Sequence, residues 1–325
     1  MTRTPLALTS LAALVCAAAI WPSRPVESVA APTPRGPLTW GVISFGNPRG
    51  GPDLLDQLAT PPQILHVYAD LCRGFPARRI QAIADAGATP MVSLELECWH
   101  GGRSDARLAA VARGDYDGFF RHWAQEARAS GIPILLRFGY EFNGDWFPWG
   151  GRPAEFVAAW RRAHGVFKAE SATNVAWVWS ANILSVPDTP ENSAHKYYPG
   201  DESVDWVALD GYNFGDHHDQ WHCWQSFEEV FAGPLADFQR RYPHKPLMLS
   251  EFGCAPGQPG QRSAWIRDAF RALQKYPRVR SVMWFNVDKR REREPDWRLH
   301  EVDGSLAAFN DTFARPEPTP AAETD

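Results

Sequence analysis

The alternation of short apolar runs with helical stretches constrains the fold of this 325-residue chain more than any other feature. Eight apolar runs are typical of buried parallel strands, and each precedes a helix or a long loop. This order predicts a single (β/α)8 TIM barrel of the α/β class. A doubly wound open sheet is the alternative, but it usually begins with a glycine-rich turn that GVISFG lacks. The predicted strands cover 38–45, 64–71, 91–96, the start of 133–150, 175–180, 206–210, 247–252 and 279–287, and the predicted helices cover 53–58, 76–86, 116–130, 153–169, 227–241, 261–275 and 306–313.

The first 31 residues have the pattern of a secretory signal peptide. Arg3 precedes an apolar segment from Leu6 to Trp21, which polar residues interrupt and which is short for a membrane span. We therefore expect a secreted or periplasmic protein without stable membrane insertion after cleavage; an uncleaved N-terminal anchor is the alternative. The expected division is a signal at 1–31, a linker at 32–37, the catalytic barrel at 38–313 and a disordered tail at 314–325.

Composition excludes several classes of partner. The net charge is -5 and the pI is near 6.1, without a basic stripe, so nucleic acid is not expected to bind. Several of the 15 tryptophans fall at predicted strand ends, which favours a binding cleft. The histidine-rich stretch 216–222 matches no metal-ligand spacing, so neither a metal nor a cofactor is expected. We expect a monomer with a polysaccharide substrate.

Four cysteines follow the predicted signal, an even number that favours two disulfides in an exported protein. Cys72 and Cys98 follow strands two and three, which are neighbours in a barrel. Cys223 lies after strand six and Cys254 after strand seven, which are also neighbours. The predicted pairs are therefore Cys72–Cys98 and Cys223–Cys254, and four unpaired thiols are the alternative.

Acidic and aromatic side chains collect at the C-terminal ends of the predicted strands, where such barrels carry their active sites. Glu141 and Glu251 each follow an apolar strand, the fourth and the seventh, which face each other across a barrel. Glycosidic cleavage requires two carboxyl groups in different environments, one protonated and one ionised. Burial near aromatic side chains is expected to raise the pKa of Glu141. Glu95 and Trp99, near the end of strand three, are candidate sugar contacts; for Glu95 a buried salt bridge is an equal alternative.

Three segments, RFGYEFNGDWFPWG at 137–150, ALDGYN at 208–213 and SEFG at 250–253, together resemble glycoside hydrolase family 26. The resemblance follows the same order over nearly the whole predicted domain. It implies that Glu141 is the acid/base, that Glu251 is the nucleophile and that Tyr212 donates a hydrogen bond to the nucleophile. Trp146 and Trp284 match aromatic positions that line the sugar site of the family, and Arg137 matches the arginine four residues before its acid/base. The full set of candidate substrate-binding residues is Arg137, Tyr140, Asn143, Trp146, Asp210, Tyr212, Trp284, Glu95 and Trp99.

The resemblance implies a retaining endo-β-glycosidase, since the family consists mostly of endo-β-1,4-mannanases and also includes mixed-linkage β-glucanases and β-1,3-xylanases. Tyr140 stands where the family usually has a histidine before the acid/base, which leaves the substrate open. β-1,4-Mannan is the first expectation. A β-1,3-1,4-glucanase or an exopolysaccharide hydrolase is the alternative within enzymes, and a non-catalytic carbohydrate-binding barrel is the alternative from another class.

Overall fold

Eight parallel strands close into a barrel in sequence order, with the first strand hydrogen-bonded to the last, which confirms the predicted fold. The computed structural model describes residues 38–43, 52–100, 106–217 and 223–313. The predicted signal, linker and tail lie outside the described residues, as does most of the histidine-rich stretch. The strands are β1 (Thr39–Ile43), β2 (Ile64–Asp70), β3 (Thr89–Glu95), β4 (Ile134–Phe138), β5 (Val175–Asn182), β6 (Trp206–Asn213), β7 (Leu247–Cys254) and β8 (Val279–Phe285).

Helices cover the outside of the barrel, and most of them match the predicted positions. A short helix before the predicted 116–130 helix was not predicted, and 3₁₀ turns replace a helix between β5 and β6. Within the described ranges, no helix has the length and apolar content that crossing a membrane requires. The α-helices are α1 (Pro52–Gln57), α2 (Ala77–Asp85), α3 (Ala106–Arg113), α4 (Asp117–Ser130), α5 (Pro153–Ala169), α6 (Phe227–Arg241), α7 (Gln261–Leu273) and α8 (Ser305–Phe313), and the 3₁₀ helices are Pro190–Asn192, Ala194–Tyr197, Asp201–Ser203 and Arg290–Glu292.

The inside of the barrel changes from apolar to polar along the strands. Successive side chains of a strand alternate between its two faces, so every second residue points inward. The lower inner layer is apolar and includes Ile64, Met91, Leu135, Met248 and Met283. Two residues further along, the inner positions of neighbouring strands are polar, and these side chains are buried: His66, Ser93, Arg137, Ser180 and Asp210. The polar layer lies directly beneath the C-terminal ends of the strands.

A bulge in β7 turns two consecutive side chains into the barrel. The pairing with β6 passes from Leu209 opposite Leu249 to Asp210 opposite Glu251, so Ser250 is the extra residue. Ser250 Oγ donates to Asp210 Oδ1 at 2.7 Å, while the Glu251 carboxylate accepts from a buried arginine. Strict alternation would turn one of these two side chains outward. The bulge therefore brings Glu251 to the site without removing Ser250 from it.

The structure joins Cys72 to Cys98, as predicted, but does not join Cys223 to Cys254. The Cys254 thiol is buried, with Asn213 Nδ2 at 3.5 Å, whereas Cys223 is exposed. The two side chains therefore occupy different environments, although their strands are neighbours. Strand adjacency predicted the first pair correctly and the second wrongly, because it does not determine where a thiol points.

The Cys72–Cys98 bond should stabilise the fold by restricting the unfolded chain. It links residues 26 apart in sequence, and loop closure of that size corresponds to about 3–4 kcal/mol. We expect the double variant Cys72→Ser/Cys98→Ser to lose about that much free energy of unfolding, measured by urea denaturation. Reductant should destabilise the wild-type protein and leave the double variant unchanged. Equal sensitivity of both proteins to reductant would contradict the assignment.

Candidate active site

The site is built around the buried guanidinium of Arg137 on β4. Its Nη1 donates to Glu251 Oε1 at 2.6 Å, and its Nη2 donates to Asp210. The Ser93 hydroxyl accepts a hydrogen bond from Arg137 Nη1, and the Ser180 hydroxyl accepts one from Arg137 Nε, each at 3.1 Å. Arg137 and Asp210 are both 0% exposed, so neither reaches the cleft. The structure thus gives these two residues a positioning role in place of the predicted contact with substrate.

Glu251 accepts hydrogen bonds at both carboxylate oxygens. Oε1 accepts from Arg137 and, at 3.3 Å, from the hydroxyl of Tyr68. Oε2 accepts from the hydroxyl of Tyr212, whose backbone follows Asp210 on β6. This arrangement fixes the Glu251 side chain at the carboxyl end of β7.

Glu141 is held in a different way, just beyond the end of β4. Oε1 accepts from Asn182 Nδ2 at 2.8 Å, and Oε2 accepts from the indole of Trp146 at 2.7 Å. Its backbone φ is 50°, in the left-handed region, which costs a non-glycine residue about 1–3 kcal/mol. The Glu141 amide donates to the Ser180 carbonyl at 2.9 Å, and its carbonyl accepts from Gly144 at 2.9 Å. These bonds hold the strained backbone that directs the carboxyl group into the cleft.

The electrostatic environment of Glu141 favours its protonated form. Burial is the main cause, and the charges of Asp210 and Glu251 add to it, so that the pKa of Glu141 rises to about 8. The hydrogen bond from Asn182 and the charge of Arg137 act in the opposite direction. Burial, with a contribution from Glu251, also raises the pKa of Asp210 to about 6 against the effect of Arg137. The expected rise for Glu141 is therefore confirmed, and neighbouring carboxylates contribute alongside burial.

A second group of contacts extends from Arg137 to the rim of the cleft. The Arg137 guanidinium lies 4.0 Å from the ring centre of Tyr140, and the Tyr140 hydroxyl donates to Glu95 Oε1 at 2.7 Å. Glu95 Oε2 accepts from the indole of Trp99 at 2.5 Å. Trp99 is 39% exposed, and the Arg73 guanidinium lies 4.7 Å from its ring centre. Glu95 therefore holds two aromatic side chains through hydrogen bonds.

Two predicted substrate contacts, Asn143 and Trp284, lie elsewhere. Asn143 is 1% exposed, and its amide group donates to the carbonyls of Asn182 and Leu184. It therefore ties the loop after β4 to the loop after β5. Trp284 points out of the barrel into the helical layer, where it packs 5.1 Å from Phe252 between ring centres. Trp284 precedes an inward-facing residue of β8, so alternation turns its side chain away from the cleft.

Three residues of the site were not among the predicted contacts. Tyr68 ends an inward-facing series on β2, and Asn182 ends the corresponding series on β5. If each apolar run is extended to its last polar residue, the two-residue period of a strand places both the Tyr68 and the Asn182 side chains on the inward face. Trp297 packs on Tyr212 with ring centres 4.8 Å apart, although it follows β8 by a long loop. No local sequence signal connects Trp297 to this position.

Within the described ranges, one cluster of Asp70, Cys72 and Cys98 has ligand atoms close enough to share an ion. The two sulfur atoms are already joined in the disulfide, so they cannot serve as thiolate ligands. Of the histidine-rich stretch, Asp216 and His217 are described and the residues from 218 to 222 are not.

Comparison with known proteins agrees with this geometry. The family model described as glycosyl hydrolase family 26 matches residues 116–236, a range that includes Glu141 and Tyr212 and ends before Glu251. Endoglucanase H of Acetivibrio thermocellus is 32% identical over 211 residues, which are 62% of this chain and 22% of that protein. Over these residues the chain is similar to glycoside hydrolase family 26.

Two further proteins extend the comparison. A mannan endo-1,4-β-mannosidase of Bacillus subtilis is 29% identical over 223 residues, or 66% of this chain and 51% of that protein. The chain thus spans between 22% and 51% of the length of these two curated relatives. The structure of a family 26 β-mannanase from Bacteroides ovatus has a TM-score of 0.62 at 18% identity, covering 85% of this chain and 88% of that one. That structural likeness supports the barrel fold.

The raised pKa of Glu141 predicts a pH-dependent loss of stability. A carboxyl group whose pKa is about 8 in the folded protein and near 4.5 in the unfolded chain keeps its proton longer when folded. Stability should therefore fall as pH rises from about 4.5 to about 8, by at most about 1.4 kcal/mol per pH unit. Glu141→Gln should remove the part of this slope between about pH 6 and 8, because Asp210, with its pKa raised to about 6, contributes only below that range; exposed Asp145→Asn should retain the whole slope in urea denaturation. Parallel curves for the wild type and Glu141→Gln would contradict the pKa assignment.

Proposed function

We propose that this protein is a retaining endo-β-glycosidase that uses Glu251 as nucleophile and Glu141 as acid/base. The observation that carries the proposal is the contrast between the two carboxyl groups. Glu251 is bound by a cation and two tyrosine hydroxyls, whereas Glu141 is buried with its pKa raised to about 8. One ionised and one protonated carboxyl group are the pair that glycosidic cleavage needs.

In the first step, a Glu251 carboxylate oxygen attacks the anomeric carbon and the bond from that carbon to the leaving oxygen breaks. Glu141 donates its proton to that oxygen, so the shortened chain leaves as an alcohol. In the second step, water attacks the anomeric carbon of the glycosyl ester. Glu141, now ionised, accepts a proton from this water, and Glu251 departs as the carboxylate. This route requires about 5–5.5 Å between the carboxyl groups and retains the anomeric configuration.

β-1,4-Mannan is the proposed substrate, supported by the relatives and solved structures described as mannanases. A β-glucan is the second candidate, because the relative with 32% identity is described as endoglucanase H. Tyr140 also differs from the histidine of the family pattern and is engaged with Glu95. Release of reducing ends from mannan, lichenan and xylan separates these candidates. Binding without release of reducing ends from any polymer would favour the non-catalytic alternative.

Secretion is part of the proposal. The N-terminal pattern at 1–31 supports a signal peptide ahead of the catalytic domain at 38–313. The Cys72–Cys98 disulfide supports an oxidising compartment, since such bonds are rare in the cytosol. Sequencing the N-terminus of the mature protein from its native host tests this: a start near residue 31 supports export with cleavage, and an intact Met1 supports the anchor.

The two glutamates should differ in their response to substitution. Glu251→Ala should abolish turnover, because no group remains to form the glycosyl ester. Glu141→Ala should lower the rate on natural polymers by roughly 10²–10⁴-fold, yet retain activity on aryl glycosides whose leaving groups need no proton. Azide should speed turnover of Glu141→Ala and give the β-glycosyl azide.

The control for these variants is Asp145→Ala, which removes a nearby exposed carboxylate and should behave like the wild type. Proton NMR of the first product released by the wild type should show the β-anomer. An α-anomer, or azide rescue of Glu251→Ala with the β-azide, would contradict the assignment of roles.

Tyr140 and Trp146 should contribute unequally. Tyr140→Phe removes one hydrogen bond to Glu95 and should lower kcat/KM only a few-fold, in line with about 0.5–1.5 kcal/mol for such a bond. Trp146→Ala removes the donor to Glu141 and part of the cleft wall, and misplacement of a catalytic group can cost about 10²-fold. Initial rates on soluble mannan compare the two variants. Equal and negligible effects would show that substrate binds elsewhere.

A further inference from the structure

We propose that Arg262 on α7 is a positioning residue for the reaction, although it lies behind the barrel wall and not in the cleft. It holds Trp297 against Tyr212, and thereby holds the hydroxyl that Tyr212 donates to Glu251. The inference rests on the proposed function, because Glu251 is taken as the nucleophile. It gives a role to Arg262, a buried charge that takes no part in the proposed catalytic steps.

Arg262 is a buried cation held by two hydrogen bonds and by the Trp284 ring, whose centre lies 5.7 Å from its guanidinium. Its side chain is 1% exposed, its Nη2 donates to the Trp297 carbonyl at 2.8 Å, and its Nη1 lies 3.3 Å from Asp303. Its Nε has no hydrogen-bond partner within the described ranges. Burying a charge is costly unless it is well paired. The Arg262 guanidinium forms a short, charge-assisted hydrogen bond with the Trp297 carbonyl, and replacing Arg262 would remove that bond.

Trp297 has a ring whose position follows from its backbone. The side chain is 0% exposed, and its indole nitrogen is buried without a hydrogen-bond partner among the residues described. Its amide donates to the Val287 carbonyl at 2.9 Å, and its carbonyl accepts from Arg262 and from the Trp284 indole. No hydrogen bond of its own orients the indole ring, so loss of an anchor at the carbonyl would let the ring move.

The Trp297 ring forms one side of the slot that holds Tyr212. The two ring centres are 4.8 Å apart, and Phe285 packs edge-on at 5.6 Å from Tyr212. Beneath them lies Gly253, two residues after Glu251 on β7. A Cβ added there would meet both Trp297 and Tyr212 at 3.2 Å. This packing leaves the Tyr212 ring little room to shift, so the position of Trp297 determines where the Tyr212 hydroxyl meets Glu251.

The other contacts of this loop are weaker anchors. Asp288 and Asp296 form an isolated backbone bridge, and Arg290 and Arg298 pair with both carboxylates. The Arg290 side chain is 65% exposed and that of Arg298 is 40% exposed. Exposed ion pairs contribute little, typically about 0–1 kcal/mol. The buried Trp284 indole donates to the same carbonyl at 3.0 Å, so Arg262 and Trp284 share the buried restraint on Trp297, and Arg262 supplies its charged part.

Two variants test the proposal from opposite sides of the slot. Arg262→Met removes the anchor behind Trp297, and Gly253→Ala inserts a methyl group between the rings. Both should lower kcat on the preferred polymer roughly tenfold to hundredfold with KM nearly unchanged, since a 1 Å misplacement can cost about 10²-fold.

Controls separate positioning from loss of stability. Arg267→Met, on the same helix with an exposed side chain, should leave kcat unchanged. Arg262→Lys retains the cation and should restore part of kcat. Carbon-13 NMR of tyrosine-labelled protein, with Tyr212→Phe to assign the signal, should show a shifted Tyr212 resonance in Arg262→Met and Gly253→Ala.

The outcomes that contradict the proposal are distinct. If both variants are merely less stable, with wild-type kcat and Tyr212 resonance, Arg262 has only a structural role. If the wild type cleaves no polysaccharide, the proposed function fails; an unchanged Tyr212 resonance in the variants would then independently refute the positioning contact.

Discussion

The bond between Arg137 and Glu251 inside the barrel is the interaction on which the rest of the site depends. A guanidinium buried at 0% exposure must be paired, because an uncompensated charge in this environment is costly. Asp210 and Glu251 compensate it, and hydroxyl groups from Ser93 and Ser180 occupy its other donors. The inward-facing polar layer is thus a consequence of one buried cation. Its upper surface is the floor of the cleft, so the pairing that makes the cation tolerable also fixes the proposed nucleophile.

The same arrangement separates the environments of the two carboxyl groups. Arg137 lies against Glu251 and Asp210, while Glu141 receives only neutral donors from Asn182 and Trp146. With burial the main cause, and the neighbouring carboxylates adding to it, the pKa of Glu141 rises to about 8. The two glutamates therefore have different environments: Glu251 is paired with a cation, and Glu141 is buried among neutral donors. The left-handed backbone at Glu141 is consistent with strain retained at a functional position.

Sequence patterns predicted the barrel, because eight apolar runs with two-residue alternation leave few alternatives. They also identified Glu141 and Glu251 as carboxyl groups at strand ends. They failed to predict where a side chain points when that direction depends on the closed sheet. Trp284 and Cys254 both pack in the layer between the barrel and its helices, and neither direction follows from strand adjacency. The bulge at Ser250 and the return of Trp297 over a long loop are tertiary features without a local signal. Asparagine side chains are suited to binding sugars, but the Asn143 amide group already donates to the carbonyls of Asn182 and Leu184.

The identity of the residue that forms the covalent bond with the sugar tests this account most directly. Incubation with a 2-deoxy-2-fluoro-β-glycosyl fluoride slows hydrolysis of the glycosyl ester, so the labelled residue can be located by mass spectrometry of peptic fragments. The account predicts one fluoroglycosyl group on Glu251, and no label on a Glu251→Gln variant. A label on Glu141 would contradict it, as would slow turnover of the reagent with no trapped ester and an inverted product.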